Sequence, residues 1–302
     1  MNISLLGHNG IITKKIYNNK YKNSNFITKL LPSNDNSEVL ISKIISELKN
    51  FEKYFCPLIV DSEIFLPMYS NEWNDIKFKH KKTHLYAYNC YYGGYDLNLI
   101  IENNLLFSRL RLCLNNVNGF LKFIKKICLG LYFLHKNNII HNDIKLENLV
   151  ITFCGDNFSI KIIDFGLSDI YPFNNFLKRP AGTHGYIPIN NQDFICDYEY
   201  YPNDWKKSVN SNKYTHVSTL TSVKKYIFGT DIFSLGITMR MLIDKLSEKF
   251  FFGSKVIDID DINFNCCFCP NKKLNKLKII ISSLLIEDVR YRCCIKNILK
   301  LF

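Results

Sequence analysis

The sequence predicts an α+β fold, and three runs of residues carry this prediction. Over 118–135, apolar residues recur at helical spacing, which predicts a helix with one buried face. The short apolar runs 149–151 and 160–163 flank the turn-forming residues 155–157 and predict the two strands of a hairpin. Upstream, 85–94 has the composition of a strand that ends in a glycine turn.

Length and composition indicate a globular chain. With 302 residues, of which 47% are hydrophobic, the chain can bury a large core, and we expect one domain over 1–302. The apolar run 279–286 is interrupted by serines and is far shorter than the ~18 residues of a membrane helix. The start, 1–7, lacks the charged head and long apolar stretch of a signal peptide. We therefore expect a cytoplasmic protein with no membrane partner.

The eleven cysteines favour reduced thiols over a metal site. The densest group, 266–269, lacks a partner C-x-x-C or a pair of histidines, so the sequence predicts no zinc. Cys128 and Cys154 lie in apolar patterns and are expected in the core. Such thiols are typical of the cytosol.

The net charge of +12 could favour acidic substrates, nucleic acid or anionic lipid. The lysines, however, are scattered among asparagine, isoleucine and tyrosine. This composition is typical of proteins encoded by AT-rich genomes, such as those of large DNA viruses and some parasites. A viral source, with the host-cell cytoplasm as its location, is therefore a hypothesis. A nucleic-acid-binding protein is the weakest functional alternative, and steeply salt-dependent duplex binding would support it.

The most specific signal lies in two short strings, I-H-N-D-I-K-L-E-N-L at 140–149 and I-D-F-G at 163–166. Asp and Asn favour turns, but a turn preference does not explain H-x-D with an Asn five residues after the Asp, followed by D-F-G. Carboxylate and amide oxygens are ligands of hard divalent cations. Phosphoryl transfer requires this kind of charge neutralisation and positioning.

These strings resemble the catalytic core of eukaryotic-type protein kinases, and the lysine two residues after the Asp resembles the serine/threonine class. The resemblance implies a bilobal protein-kinase-like fold. Its small, mainly antiparallel β N-lobe with one main helix would span 1–90, and its larger, mainly α C-lobe would span 91–302. It also implies ATP and Mg²⁺ as cofactors and a protein as substrate.

The resemblance assigns a role to each polar residue of the strings. Asp143 would be the catalytic base that orients the attacking hydroxyl, and Lys145 would offset the charge of the transferring group. Asn148 and Asp164 would bind Mg²⁺. His141 is expected to form structural hydrogen bonds.

The residues that would bind the nucleotide are predicted from one strand and one helix near the start of the chain. Residues 26–31 resemble the V-A-I-K strand of the family, so Lys29 would hold the α- and β-phosphates. The glutamate that pairs with Lys29 would be Glu38, which stands at the start of a run with apolar residues at helical spacing. Glu47, further along the same run, is the alternative. A solvated lysine in a lysine-rich chain is the competing interpretation of Lys29.

A glycine-rich loop is only weakly represented, in a run whose nucleotide-binding residues would be Leu5, Leu6, Gly7, His8, Asn9, Gly10 and Ile12. Glycine matters here because backbone N–H groups must approach phosphates closely. In one register Gly7 is the first glycine, and Asn9 and Ile12 replace the other two. In the second register Gly7 and Gly10 are the second and third, and Leu5 replaces the first.

Later segments resemble the kinase C-lobe with departures. The run 182–190 resembles the end of an activation segment, but it finishes in Ile-Asn as in the casein-kinase-1 group rather than in A-P-E. Arg292 would normally pair with that glutamate, so we expect a local substitute. Asp231, at the start of a D-x-W-S-L-G-like helix, would accept hydrogen bonds from the catalytic loop. Residues 191–228 are expected to form an insertion that could touch substrate.

Two functional hypotheses follow. The leading one is an ATP- and Mg²⁺-dependent serine/threonine protein kinase. The alternative is a pseudokinase scaffold, favoured by the incomplete glycine loop, by the missing A-P-E and by Asn142, where many kinases have an arginine that binds a phosphorylated activation segment. With Asn142 in place, we expect activity that does not depend on segment phosphorylation.

Overall fold

The computed structural model describes most of the chain. The described residues are 3–7, 10–13, 20, 25–32, 37–67, 84–114, 116–155, 157–171, 182–183, 185–187, 220–249, 272–286 and 291–302. The chain divides into two compact units. The amino-terminal unit comprises Met1–Gly93 together with Ile163–Ser168, and the carboxyl-terminal unit comprises Gly94–Ile162 and Asp169–Phe302.

The amino-terminal unit is an antiparallel sheet with one main helix. Its strands follow the order β1-β2-β3-β5-β4 across the sheet. Their bounds are β1 Ile3–Gly7, β2 Gly10–Thr13, β3 Phe26–Leu31, β4 Leu58–Pro67 and β5 His84–Tyr91. Helix α1, Ser37–Glu47, packs Val39 against a core cluster on β3, β4 and β5. A single 3-10 turn, Phe51–Lys53, follows it.

The carboxyl-terminal unit is mainly helical. Its helices are α2 Leu97–Glu102, α3 Asn104–Cys113, α4 Val117–Lys136, α5 Leu220–Lys249, α6 Lys272–Leu284 and α7 Ile295–Lys300. A small sheet of order β6-β8-β9 joins Tyr95–Asp96, Leu149–Cys154 and Asn157–Ile162. A two-stranded ribbon pairs β7, Ile139–Ile140, with β10, Asp169–Ile170.

Helix α4 forms as its sequence predicts. The Asn116 side chain accepts a hydrogen bond from the Gly119 N–H at 3.0 Å and caps the first turn. The apolar face of the helix is buried, and its residues include Phe120, Phe123, Ile124, Ile127, Leu131 and Leu134. His135 and Lys136 stand in the last turn, where positive charge favours the helix dipole. The prediction of a helix over 118–135 is confirmed, as is the β8–β9 hairpin.

The structure differs from the sequence-based expectations in four places, the last of which is the boundary between the units. Cys128 is buried, but Cys154 is exposed because it ends β8 beside the hairpin turn. Asp231 does not start a helix: α5 begins at Leu220, in a stretch without proline that lets the helix extend through 220–231. Of the expected insertion, 191–219 lies outside the described residues and 220–228 belongs to α5.

The division between the units lies three residues beyond the expected boundary at residue 90. Strand β5 continues to Tyr91, and the Tyr92 N–H donates to the Asn25 carbonyl at 2.7 Å, so the chain leaves the sheet only at Gly93. Within the described ranges, no helix has both the length and the apolar character needed to span a bilayer.

Candidate active site

Lys29 lies at the centre of a buried polar cluster in the amino-terminal unit. Its Nζ contacts Glu38 Oε1 at 2.7 Å and Oε2 at 2.8 Å, and Asp164 Oδ1 at 2.9 Å. Glu47, the alternative partner, is exposed on the same helix. The structure therefore brings together three residues to which the sequence assigned nucleotide or metal binding.

The two carboxylates keep Lys29 charged. Burial alone would lower the pKa of Lys29, but Glu38 and Asp164 outweigh it and raise that pKa above its usual range. Burial raises the pKa of Glu38, and the charge of Lys29 acts in the opposite direction. A buried ammonium that stays positive is suited to bind phosphate oxygens.

The Asp-Phe-Gly segment is fixed within the amino-terminal unit. The Ser37 hydroxyl of α1 donates to the Gly166 carbonyl at 3.1 Å, and the buried Phe165 packs edge-on against Phe55. Asp164 has φ 63°, a left-handed conformation that Asp tolerates better than most residues. Its carboxylate also accepts the Gly166 N–H at 3.3 Å and keeps 26% of its side-chain surface exposed. The segment thus presents a fixed, partly exposed carboxylate.

The glycine run forms part of the β1–β2 pair. Gly7 stands opposite Gly10, Leu5 and Leu6 belong to β1, and Ile12 belongs to β2. His8 and Asn9 lie outside the described residues. The family pattern ends in G-x-V, and Ile12 follows Gly10 by two residues, so this spacing favours the second register, in which Leu5 replaces the first glycine. Ile12 also stands opposite Lys29 in the sheet.

A second polar cluster surrounds Asp143 in the carboxyl-terminal unit. Asn148 Nδ2 donates to the Asp143 carbonyl at 2.8 Å and to its Oδ2 at 2.9 Å. Lys145 Nζ lies 2.7 Å from the same Oδ2. The Thr183 hydroxyl donates to Asp143 Oδ1 at 2.5 Å and accepts from Lys145 Nζ at 2.9 Å. Four donor contacts from three residues therefore hold the Asp143 side chain and backbone in one arrangement.

The loop that carries Asp143 is fixed by a buried carboxylate. Asp231 accepts the N–H of His141 at 2.9 Å and that of Asn142 at 2.8 Å, which confirms the expected anchoring of the loop. The imidazole of His135 also contacts this carboxylate, at 2.9 Å. His141 is buried, and its Nδ1 accepts the Asp143 N–H at 3.2 Å, as expected of a structural histidine.

Arg292 is held by backbone oxygens. Its Nε donates to the Ile286 carbonyl at 2.6 Å, and its Nη1 donates to the Gly229 carbonyl at 2.8 Å. The guanidinium also lies over the Phe233 ring, 4.9 Å from its centroid. These contacts provide the local substitute expected where A-P-E is missing.

Two residues of these clusters had no role in the sequence analysis. Thr183 follows Gly182 in the segment compared with a kinase activation segment, and that position was the available signal. His135 gave no signal, because its contact with Asp231 joins positions 96 residues apart. Only the folded chain reveals that pair.

Each cluster, taken by itself, contains an oxygen donor of the kind that magnesium prefers. Over the described residues, no group of three or more His, Cys, Asp and Glu side chains could hold a metal ion by itself. Magnesium is commonly held by one or two carboxylates together with substrate phosphates. Asp164 offers a carboxylate, and Asn148 uses Nδ2 for both of its hydrogen bonds, which leaves its amide oxygen as a ligand. The metal-binding roles of both residues stay predictions.

The fold and the two clusters together define a phosphotransferase class, and comparison with known proteins identifies the family. The family model described as the protein kinase domain matches residues 6–190, more than half of the chain. The chain belongs to the protein kinase family. This confirms the predicted α+β, protein-kinase-like fold class.

Several curated kinases are similar to this chain. A probable serine/threonine-protein kinase, fhkB of Dictyostelium discoideum, is 26% identical over 240 residues, which are 78% of this chain and 19% of that protein. Protein kinase kin1 of Schizosaccharomyces pombe is 44% identical over 62 residues, or 20% of this chain and 7% of kin1. Calcium-dependent protein kinase 4 of Plasmodium falciparum is 42% identical over 67 residues, or 22% of this chain and 13% of that kinase.

The chain is thus similar to eukaryotic protein kinases, one of which is a probable serine/threonine-protein kinase. The chain spans about a fifth or less of the length of each of these three relatives. Ile189 and Asn190, which carry the likeness to the casein-kinase-1 group, lie outside the described residues. That likeness and the viral source stay predictions.

Proposed function

We propose that the chain is a catalytically active serine/threonine kinase that transfers the γ-phosphoryl group of ATP to a protein hydroxyl. The single observation that carries this proposal is the buried Lys29 bonded to both Glu38 and Asp164. Burying charged groups costs several kcal/mol per ion before pairing is counted. A scaffold has no need of such a cluster, whereas an enzyme that binds phosphates does.

Asp143 is the catalytic base in this proposal. It would accept the proton of the substrate hydroxyl, or orient that hydroxyl toward the phosphorus atom. The contacts from Asn148, Lys145 and Thr183 support this role, because they fix the carboxylate before substrate arrives. Lys145, 2.7 Å from Asp143, would offset the negative charge of the transferring group.

Nucleotide and metal would be held by the remaining polar residues. Lys29, oriented by Glu38, would bind the α- and β-phosphates, and Asp164 and Asn148 would supply oxygen ligands to Mg²⁺. The metal ion supplies neutralisation of phosphate charge when bound. Backbone N–H groups of the Gly7–Gly10 hairpin would cover the phosphates. Leu5 of β1 and Ile12 of β2 would lie on either side of these backbone groups.

We extend the proposal to the domain organisation, the location and the partners of the protein. We place a single kinase domain over 1–302, with an N-lobe that extends to Gly93, a C-lobe from Gly94 onward and a substrate-facing insertion between residue 191 and the start of α5. A cytoplasmic location fits the described cysteines, none of which is paired in a disulfide within the described residues. The substrate is a protein, and nucleic-acid binding would be limited to nonspecific attraction to the basic surface.

The alternative is a pseudokinase that uses the same fold as a binding scaffold. Three sequence features favour it: the glycine run keeps Gly7 and Gly10 only, the A-P-E motif is missing, and Asn142 stands where an arginine is common. Asn142 has φ 66°, which Asn tolerates well, so the loop accommodates this substitution without added strain. This accommodation weakens the case for the scaffold.

Radiolabelled ATP with acidic and basic acceptor proteins separates the two functions. Wild type should label an acceptor, and labelling should be lost in Asp143→Ala and Lys29→Met. Lys43→Met, an exposed lysine on α1, is the matched control and should label as wild type does. No labelling by wild type, with no thermal shift from ATP and Mg²⁺, would establish the scaffold. Equal labelling by every variant would show a contaminating kinase, whereas full labelling by Asp143→Ala in a preparation that an ATP-competitive inhibitor of other kinases leaves active would overturn the assignment of Asp143.

A further inference from the structure

The carboxyl-terminal unit contains a cavity that the proposed kinase reaction does not use. It has a volume of about 570 Å³ and lies among the end of α4, the 228–232 segment of α5 and the chain that starts α7. None of the residues assigned to ATP, Mg²⁺ or phosphoryl transfer lines it. The volume is in the range of pockets that hold small organic ligands.

The walls of this cavity favour an aromatic ligand. Three of its lining residues are Tyr132 of α4, Phe228 of α5 and Tyr291. The His135 ring, another part of the wall, stands edge-on to Phe228, with 4.7 Å between the centroids. Aromatic walls bind flat aromatic molecules through ring contacts as well as through burial of apolar area.

The charges around the cavity favour an anion. Lys136 and Lys296 lie exposed at its rim, and the buried guanidinium of Arg292 contributes to its wall. Among the described residues that line the cavity, none is an aspartate or a glutamate. Among these described lining residues, a carboxylate at the rim would therefore have two lysines as charged partners and no acidic side chain against it.

We propose that this cavity is a second ligand site, which binds a small organic anion with an aromatic body and one carboxylate. The aromatic body lies against Tyr132 and Phe228, and the carboxylate faces Lys136 and Lys296. Binding of this ligand does not depend on catalytic activity, so the site stands or falls separately from the proposed kinase reaction.

His135 connects this site to the loop that carries Asp143. Its Nε2 contacts the Asp231 carboxylate at 2.9 Å, and the same carboxylate accepts the N–H groups of His141 and Asn142. A ligand that packs on the His135 ring restricts one partner of this carboxylate. We therefore expect slower hydrogen exchange at the His141 and Asn142 amides when the cavity is occupied.

Titration calorimetry with 2-naphthoate and its neutral isostere 2-naphthamide tests the proposal. Naphthoate should bind more tightly than naphthamide by about fivefold, the size expected for contacts with two exposed lysines. The double variant Lys136→Gln with Lys296→Gln should remove this difference. Lys125→Gln, an exposed lysine on the same helix α4 that does not line the cavity, should keep it.

Thiol protection locates the bound anion. Cys293 and Cys294 line the cavity, whereas the exposed Cys154 does not. Saturating naphthoate should slow iodoacetamide labelling of Cys293 and Cys294 severalfold and leave Cys154 unchanged, as read by peptide mass spectrometry. Absence of naphthoate binding, equal affinity for the two isosteres, or unprotected Cys293 and Cys294 would overturn the site. Unchanged exchange at His141 and Asn142 in the saturated protein would overturn the connection through His135.

Discussion

The two polar clusters of this kinase are assembled by different means. In the amino-terminal unit, Lys29, Glu38 and Asp164 meet through ion pairs between residues 9 and 135 positions apart. In the carboxyl-terminal unit, Asp143 and Asn148 belong to one loop, and Asp231 fixes the backbone of that loop. The first cluster depends on the balance of charges, and the second depends on backbone geometry.

This difference determines what a substitution damages. Removing one charge from the Lys29 cluster leaves the others buried with fewer partners. Removing the Asp231 acceptor leaves two backbone N–H groups without their carboxylate and releases the loop itself. The carboxyl-terminal cluster should therefore be the more sensitive of the two to a single change.

The largest effect on stability is expected for Asp231→Asn. The asparagine amide keeps one oxygen acceptor but places its N–H₂ group against the backbone N–H of either His141 or Asn142, and it removes the negative charge between them, which together should cost about 4 kcal/mol of unfolding free energy. Urea denaturation measures this loss. Glu147→Gln, an exposed carboxyl in the same loop, is the control and should change stability by less than about 0.5 kcal/mol. Equal losses in both variants would mean that Asp231 does not anchor the loop.

Gly94 tests whether the carboxyl-terminal unit requires a residue without a side chain beside strand β8. This residue has φ +111°, and a Cβ on it would stand 2.0 Å from the Ile151 carbonyl oxygen of β8. Gly94→Ala should lower the unfolding free energy by about 3 kcal/mol, because strain and overlap act together. Gly155→Ala has φ +55° and open space around its Cβ, so it should cost only about 1 kcal/mol. A reversed order would contradict the described β6–β8 geometry.

A smaller loss is expected for Glu38→Gln in the amino-terminal cluster. Lys29 keeps its contact with Asp164, so the variant should lose about 2 kcal/mol rather than the full cost of breaking a buried pair. Glu47→Gln, on the exposed side of the same helix, should be within about 0.5 kcal/mol of wild type. Comparing the two by thermal and urea unfolding isolates the ion pair. If Glu38→Gln lost more unfolding free energy than Asp231→Asn, the amino-terminal cluster would be the more sensitive one, contrary to our expectation.

The effect that is smallest at neutral pH, because it develops only above pH 9, is a pH dependence of stability from the sheet of the amino-terminal unit. Burial raises the pKa of the Cys90 thiol from 9.0 to about 12. The unfolded thiol loses its proton near pH 9 while the folded thiol keeps it, so the stabilisation is complete below pH 9 and is lost between pH 9 and 12. Cys90→Ala should reduce the fall in stability over that window by up to about 1.4 kcal/mol per pH unit.

The exposed Cys154 provides the control for this titration. Cys154→Ala should leave the dependence of unfolding free energy on pH as it is in wild type. If Cys90→Ala and Cys154→Ala show the same slope between pH 9 and 12, Cys90 does not carry the effect.

Local pattern was enough to predict much of this fold. The strand over 26–31, the helix over 118–135 and the hairpin from 149 to 162 follow from spacing within one element or between neighbours. The grouping of Asp143 with Asn148 has the same origin, since both lie in one short loop. Such features need no knowledge of distant contacts.

Other features depend on contacts that no local pattern records. His135 reaches Asp231 across 96 positions, and Thr183 reaches Asp143 across 40. The exposure of Cys154 follows from the exact end of β8, and the early start of α5 follows from tertiary context rather than from the D-x-W-S-L-G likeness. Sequence reasoning predicted the presence of these elements more readily than it predicted where they begin and end.

ATP binding and phosphoryl transfer are separated most directly in Asp143→Asn. In the proposed function, the Lys29 cluster binds the nucleotide and Asp143 acts in the transfer step. Equilibrium titration with ATP and Mg²⁺ should give an affinity within about twofold of wild type, while the rate of acceptor labelling falls about 10³-fold. Labelling at the wild-type rate, or loss of ATP binding in parallel with loss of transfer, would contradict this division of roles.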